Sequence, residues 1–117
     1  MTPQQLKWIE ALESGDYPQG TGNLKKDGTY CCLGVACQIF KDELGIKEDV
    51  IGTLSVFDNQ SCALPPEKVV THLNLLSRYG DGKDKQPSLV NLNDSNMSFE
   101  EIAQLLRKGD YFDTPAN

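Results

Sequence analysis

Apolar positions recur at helical spacing in four stretches of the chain. In the first, Leu6, Trp8, Ile9 and Leu12 form one face. Thr2 is placed to cap that helix, with Pro3 at its first position, Gln5 completing a capping box and Gly15 ending it. In the second, Leu33, Cys37, Phe40 and Leu44 share a face with Ala36 and Ile39 beside them, and Gly45 is the stop. Pro65-Pro66 opens the third, whose face is Val69, Val70, Leu73 and Leu76. The last is the best marked. Ser98 and Glu101 make a capping box, Met97 and Ile102 a hydrophobic staple, and Phe99, Ile102, Ala103 and Leu106 a stripe that Gly109 terminates.

Between these stretches the period changes. Asp27-Gly28 is a two-residue hairpin signal, because a type I′ turn needs positive φ at both positions, and it pairs residues 24–26 with 29–31. Thr53 to Phe57 alternates as a strand, Asp58-Asn59-Gln60 reads as a turn, and Ser61 to Leu64 is expected to return beside it. Residues 16–22 and 79–86 are rich in Gly, Pro and charge and are expected to be loops. Ser88 to Asn93 reads as a short helical turn folded back on the last helix through Asp94-Ser95-Asn96. The expected architecture is α+β: one domain over 1–117, mostly helical, with about four helices, one or two small hairpins, and a loose tail from 110 to 117.

Charge narrows the partners. Seventeen acidic against eleven basic residues give a net charge of −6, which argues against a nucleic-acid binder and against an anionic membrane surface. No apolar run approaches the ~20 residues of a membrane helix. The first residues carry neither a basic region nor an apolar stretch, so a cytoplasmic location with four reduced cysteines is expected.

The candidate chemistry centres on Tyr30-Cys31-Cys32-Leu33-Gly34-Val35-Ala36-Cys37. There is no C-x-x-C pair, and five residues of helix set Cys32 and Cys37 ~140° apart around the axis, so no metal is expected and no cofactor. A thiol at a helix start feels the positive end of the dipole, which makes Cys31 and Cys32 candidate nucleophiles. The lone histidine, His72, would have to be their base, and nothing in the pattern brings it to them. Packing is the competing role, with small thiols and Gly34 letting a hairpin lie close to a helix start. Asn93-Asp94 sits at an interhelical turn, where Asx side chains cap helices or bind loop amides. Gln19-Gly20-Thr21-Gly22-Asn23 lacks the strand before and helix after that a phosphate loop needs. The last helix has no recognition helix behind it, so it does not make a DNA reader.

The double-cysteine segment resembles a family of small proteins of tailed bacteriophages and prophages for which no activity is established. The likeness includes Trp8-Ile9-Glu10-Ala11-Leu12 with Ser14-Gly15, Gln19 to Gly22 and Leu64 to Glu67. It continues through Leu92-Asn93-Asp94 and Ser98 to Ala103, in order along nearly the whole chain. The resemblance implies a phage context and no mechanism. Relatives often carry an aromatic residue at the position of His72, which implies no essential role for it.

Two functions are expected from these residues. One is a small phage-type accessory protein that binds a host protein or a small molecule through Tyr30, Cys31, Cys32, Asn93 and Asp94. The other is a cysteine-dependent hydrolase or transferase using Cys31 or Cys32 with His72.

Overall fold

The first helix, α1 (Pro3–Glu13), starts where the capping signal places it. Thr2 Oγ1 accepts the Gln5 N–H, and Gln5 Oε1 accepts the Thr2 N–H in return. Trp8, Ile9 and Leu12 are buried, but Leu6 is not. Its place is taken by Gln5, which stands at i, i+3, i+4 and i+7 with those three residues and is itself buried. Burial of its amide is offset by a 2.9 Å hydrogen bond from Nε2 to the Leu73 carbonyl. This is a computed structural model, and it describes residues 1–113.

The Asp27-Gly28 turn forms as expected, with φ of 51° and 79°, and joins β1 (Lys25–Lys26) to β2 (Thr29–Tyr30). Next comes α2 (Cys32–Leu44), ended by Gly45 in the left-handed conformation. Every residue from Cys32 to Cys37 is buried, so the first half of α2 has no solvent face. It packs against α1, against β2 and against helices that follow it in the chain. Cys32 and Cys37 are both interior despite lying on different sides of the axis. Gly34 makes this possible. A methyl group there would overlap the Leu24 carbonyl, which crosses directly over the helix.

The next hairpin differs from the expected one. β4 (Leu54–Phe57) pairs backwards with β3 (Glu48–Ile51) through a turn at Gly52-Thr53, and Ser61 contributes only an isolated bridge to Phe57. The sheet order is β2-β1-β4-β3, all antiparallel. β3 opens on an acidic pair, and the reason Glu48 enters the sheet is local. Its carboxylate accepts from Lys25 at 2.9 Å, Lys41 at 2.7 Å and Ser55 at 2.6 Å. Burial alone would raise that carboxyl. The hydrogen bonds from Lys41, Ser55 and Lys25 outweigh it and hold the pKa down at about 2.

α3 (Glu67–Leu73) stops one turn early, because Asn74 turns left-handed, and so Leu76 leaves the apolar face and is partly exposed. Ser88 caps the short α4 (Leu89–Asp94). The capping box of Ser98 and Glu101 starts α5 (Phe99–Arg107), whose four stripe residues are all buried. α5 lies along α1, and Arg107 holds Glu13 with two hydrogen bonds of 2.7 and 3.1 Å. The expected loose tail does not begin at 110. Tyr111 and Phe112 are buried, Phe112 meets Trp8 edge-on, and the Asp113 N–H bonds the Asn74 carbonyl. Residues 114–117 of that expected tail lie outside the described residues. The fold is α+β in one domain, with five helices and one four-stranded sheet among the described residues. None of those helices is long and apolar enough to cross a membrane.

Candidate functional site

The N-terminal end of α2 is held by one amide side chain. Asn93, on α4 and fully buried, accepts the Cys32 N–H at 3.2 Å and a hydrogen from Gln19 Nε2 at 3.0 Å, both on Oδ1. Its Nδ2 donates to the Gly20 carbonyl at 2.8 Å. Gln19 then reaches α5, donating to the Met97 carbonyl and accepting the Phe99 N–H. On the other side of α2, Trp8 Nε1 donates to the Cys32 carbonyl at 2.9 Å. Asn93 is therefore a structural keystone among α2, α4 and the loop after α1. Asp94 beside it is exposed and fixes the same loop, accepting the Gly22 N–H at 2.9 Å on Oδ1.

Cys31 caps α2 with its sulfur, which accepts the Gly34 N–H at 3.3 Å. The Cys32 thiol faces the Leu89 carbonyl at 3.9 Å, a long and weak contact. Burial pushes the Cys31 thiol up to about 11, over the opposing pull of the Gly34 and Leu33 amides. Burial raises Cys32 and Cys37 as well. The helix start that could have favoured a thiolate is outweighed by loss of water, and these sulfurs stay neutral at pH 7. All four cysteines are free thiols.

Cys31 and Cys32 nevertheless face space. They line a cavity of about 250 Å³ closed by Leu33, Leu64, Val90 and Tyr79, with Gly22, Asn23, Ala63 and Asp94 around it. Tyr79 is 54% exposed and Gly22, Ala63 and Asp94 are exposed too, so these four mark the mouth. The cavity brings together three of the residues singled out in the sequence, Cys31, Cys32 and Asp94. Asn93 stands behind it as support. Tyr30 is not a lining residue. Its ring packs edge-on against Tyr17 at 5.4 Å, with Lys25 Nζ 5.5 Å over its face.

His72 is elsewhere. It lies on α3 with its ring edge-on to Phe40 at 4.7 Å, and Nε2 is 3.4 Å from Glu43 Oε2 without hydrogen-bond alignment. Phe40 is eight residues past Cys32, or about 12 Å along α2. The structure does not bring His72 to the cysteines. Among the described residues no group of three or more His, Cys, Asp or Glu is placed to hold a metal ion.

The lining residues that sequence reasoning missed are Ala63, Leu64, Tyr79 and Val90. They come from three separate segments, and no spacing within any one of them signals a shared wall. One signal was available. The unbroken apolar run from Cys31 to Cys37 marks a helix start covered on all sides, and such a start needs walls from distant segments.

No curated protein and no solved structure matches the chain. A family model described as a domain of unknown function, DUF8296, matches residues 3–110, and with nearly the whole described chain inside that match the protein belongs to this family.

Proposed function

We propose that this chain is a small phage-type accessory protein of the host cytoplasm that captures a small molecule in the cavity at the start of α2. The observation that carries this reading is the cavity itself: about 250 Å³, walled by Leu33, Leu64, Val90 and neutral thiols, with a mouth at Gly22, Tyr79, Ala63 and Asp94. A 150 Å³ apolar cavity holds benzene, so this one has room for roughly ten non-hydrogen atoms. Ligand sites of this kind are concave, mostly apolar and marked by few polar groups. The phage context rests on the sequence resemblance.

The other readings have less to stand on. A cysteine hydrolase or transferase needs an ionisable thiol beside a base, whereas burial keeps Cys31 near 11 and His72 packs on Phe40. For a host-protein binder the most exposed apolar pair is the small patch of Val50 and Ile51, each 67% exposed on the edge strand β3.

The test is a thermal-shift screen of small apolar compounds against the native chain and Ala63→Trp. Ala63 is exposed, so the indole plugs the mouth without entering the core. Hits that stabilise the native chain and lose their effect in Ala63→Trp support the reading. A screen without hits, or hits indifferent to the plug, contradicts it.

A further inference from the structure

We infer that the cavity at the start of α2 selects an apolar amine, its hydrocarbon or aromatic body among Leu33, Leu64 and Val90 and its ammonium group at Asp94. This inference rests on the small-molecule reading and names the ligand class. Three observations carry it. First, Asp94 is the one acidic or basic side chain among the described residues lining the cavity, and it stands at the mouth, where a charged group can keep part of its water.

Second, two of the backbone donors an anion would use are already engaged. The Cys32 N–H is bonded to Asn93 and the Gly34 N–H to the Cys31 sulfur, so the start of α2 has spent these donors. The helix dipole leaves about half a positive charge there, against a full negative charge on Asp94. The thiols add none, since burial keeps them protonated.

Third, Asp94 is held in place without being neutralised. Its Oδ1 accepts the Gly22 N–H at 2.9 Å, and no cationic side chain pairs with it among the described ion pairs. A fixed carboxylate needs no reordering when a cation arrives, which limits the entropic cost of binding. Tyr79, 54% exposed, lines the same mouth and puts an aromatic side chain within the site.

Calorimetric titration of the full chain with three compounds of matched size reads the selection: 2-phenylethylamine, 2-phenylethanol and phenylacetate. The amine is expected to bind about 10-fold tighter than the alcohol, and the carboxylate weakest. Asp94→Asn keeps an oxygen for the Gly22 N–H, and it should bring the amine to the alcohol's affinity while leaving the alcohol unchanged. Should that variant not fold, salt reads the same interaction. The amine's affinity then falls with ionic strength while the alcohol's stays flat, and two flat responses overturn the inference. An amine that binds no tighter than the alcohol, or keeps its advantage in Asp94→Asn, overturns the choice of ligand class and leaves the cavity reading standing. If none of the three binds, or all bind Ala63→Trp as well as the native chain, the cavity reading fails and this inference with it.

Discussion

The two ends of α2 are built from different materials. At its N-terminal end neutral groups satisfy one another: Asn93 holds Cys32 and Gly20, Trp8 holds the Cys32 carbonyl, and the Cys31 sulfur takes the Gly34 amide. Space is left over there, lined mainly by carbon and sulfur. At the C-terminal end charges and rings close on each other. His72 meets Phe40, Lys7 Nζ lies 5.4 Å over the Phe40 ring, and Lys41 reaches Glu48. An apolar cavity persists where nearby polar atoms already have partners, since water entering it gains few bonds. Of the titratable side chains that looked like chemistry, His72 belongs to the charged C-terminal end, while Cys31 and Cys32 stand at the N-terminal end and line its apolar cavity.

The largest effect expected from breaking this contrast is at Gly34. A methyl group at Gly34→Ala collides with the Leu24 backbone, which cannot yield as a side-chain tip would. The loss should reach about 4 kcal/mol, seen as a collapse of the urea midpoint; a variant within 1 kcal/mol of native would show that Leu24 moves aside freely. Asn93→Ala comes next, at about 3 kcal/mol, because it strands the Cys32 N–H and the Gly20 carbonyl together. A chemical-denaturation series comparing it with an exposed control on the same helix, Asn91→Ala, measures this.

The far end of α2 should respond to acid instead. Glu48 titrates near 4.5 when free and at about 2 in the fold, so its contribution is present above pH 4.5 and drains away as pH falls from there towards 2. With solvent screening at the partly exposed lysines the loss is about 2 kcal/mol. Melting temperatures across that window should fall less steeply in Glu48→Gln, and parallel curves would remove Glu48 from the account. The smallest effect belongs to His72→Phe. It keeps the ring contact with Phe40, should stay within about 1 kcal/mol of native stability, and should leave ligand binding at the cavity unchanged.

The same contrast explains what the sequence disclosed. α5 and α1 were legible because their caps and stripes are local signals within four residues of each other. α2 and the Asp27-Gly28 turn were legible for the same reason. The pairing of β3 was not, because nothing in an acidic pair at a strand start marks it as the partner of β4 until Lys25 and Lys41, from two other elements, are placed around Glu48. The site divides likewise. Cys31, Cys32 and Asp94 stood out by residue type and by their junctions. Ala63, Leu64, Tyr79 and Val90 did not, because only the folded chain assembles them into one wall. Asn93 was noticed as a cap, and its larger role depends on Gln19 and Cys32, each more than 60 residues away in sequence.

Amide chemical-shift mapping of the full chain titrated with 2-phenylethylamine tests the central claim most directly. Saturable shifts are expected at Gly22, Cys32, Leu33, Val90 and Asp94, with Phe40, Glu43 and His72 unmoved. Shifts centred on His72 and Phe40, or no saturable shifts at all, would contradict it.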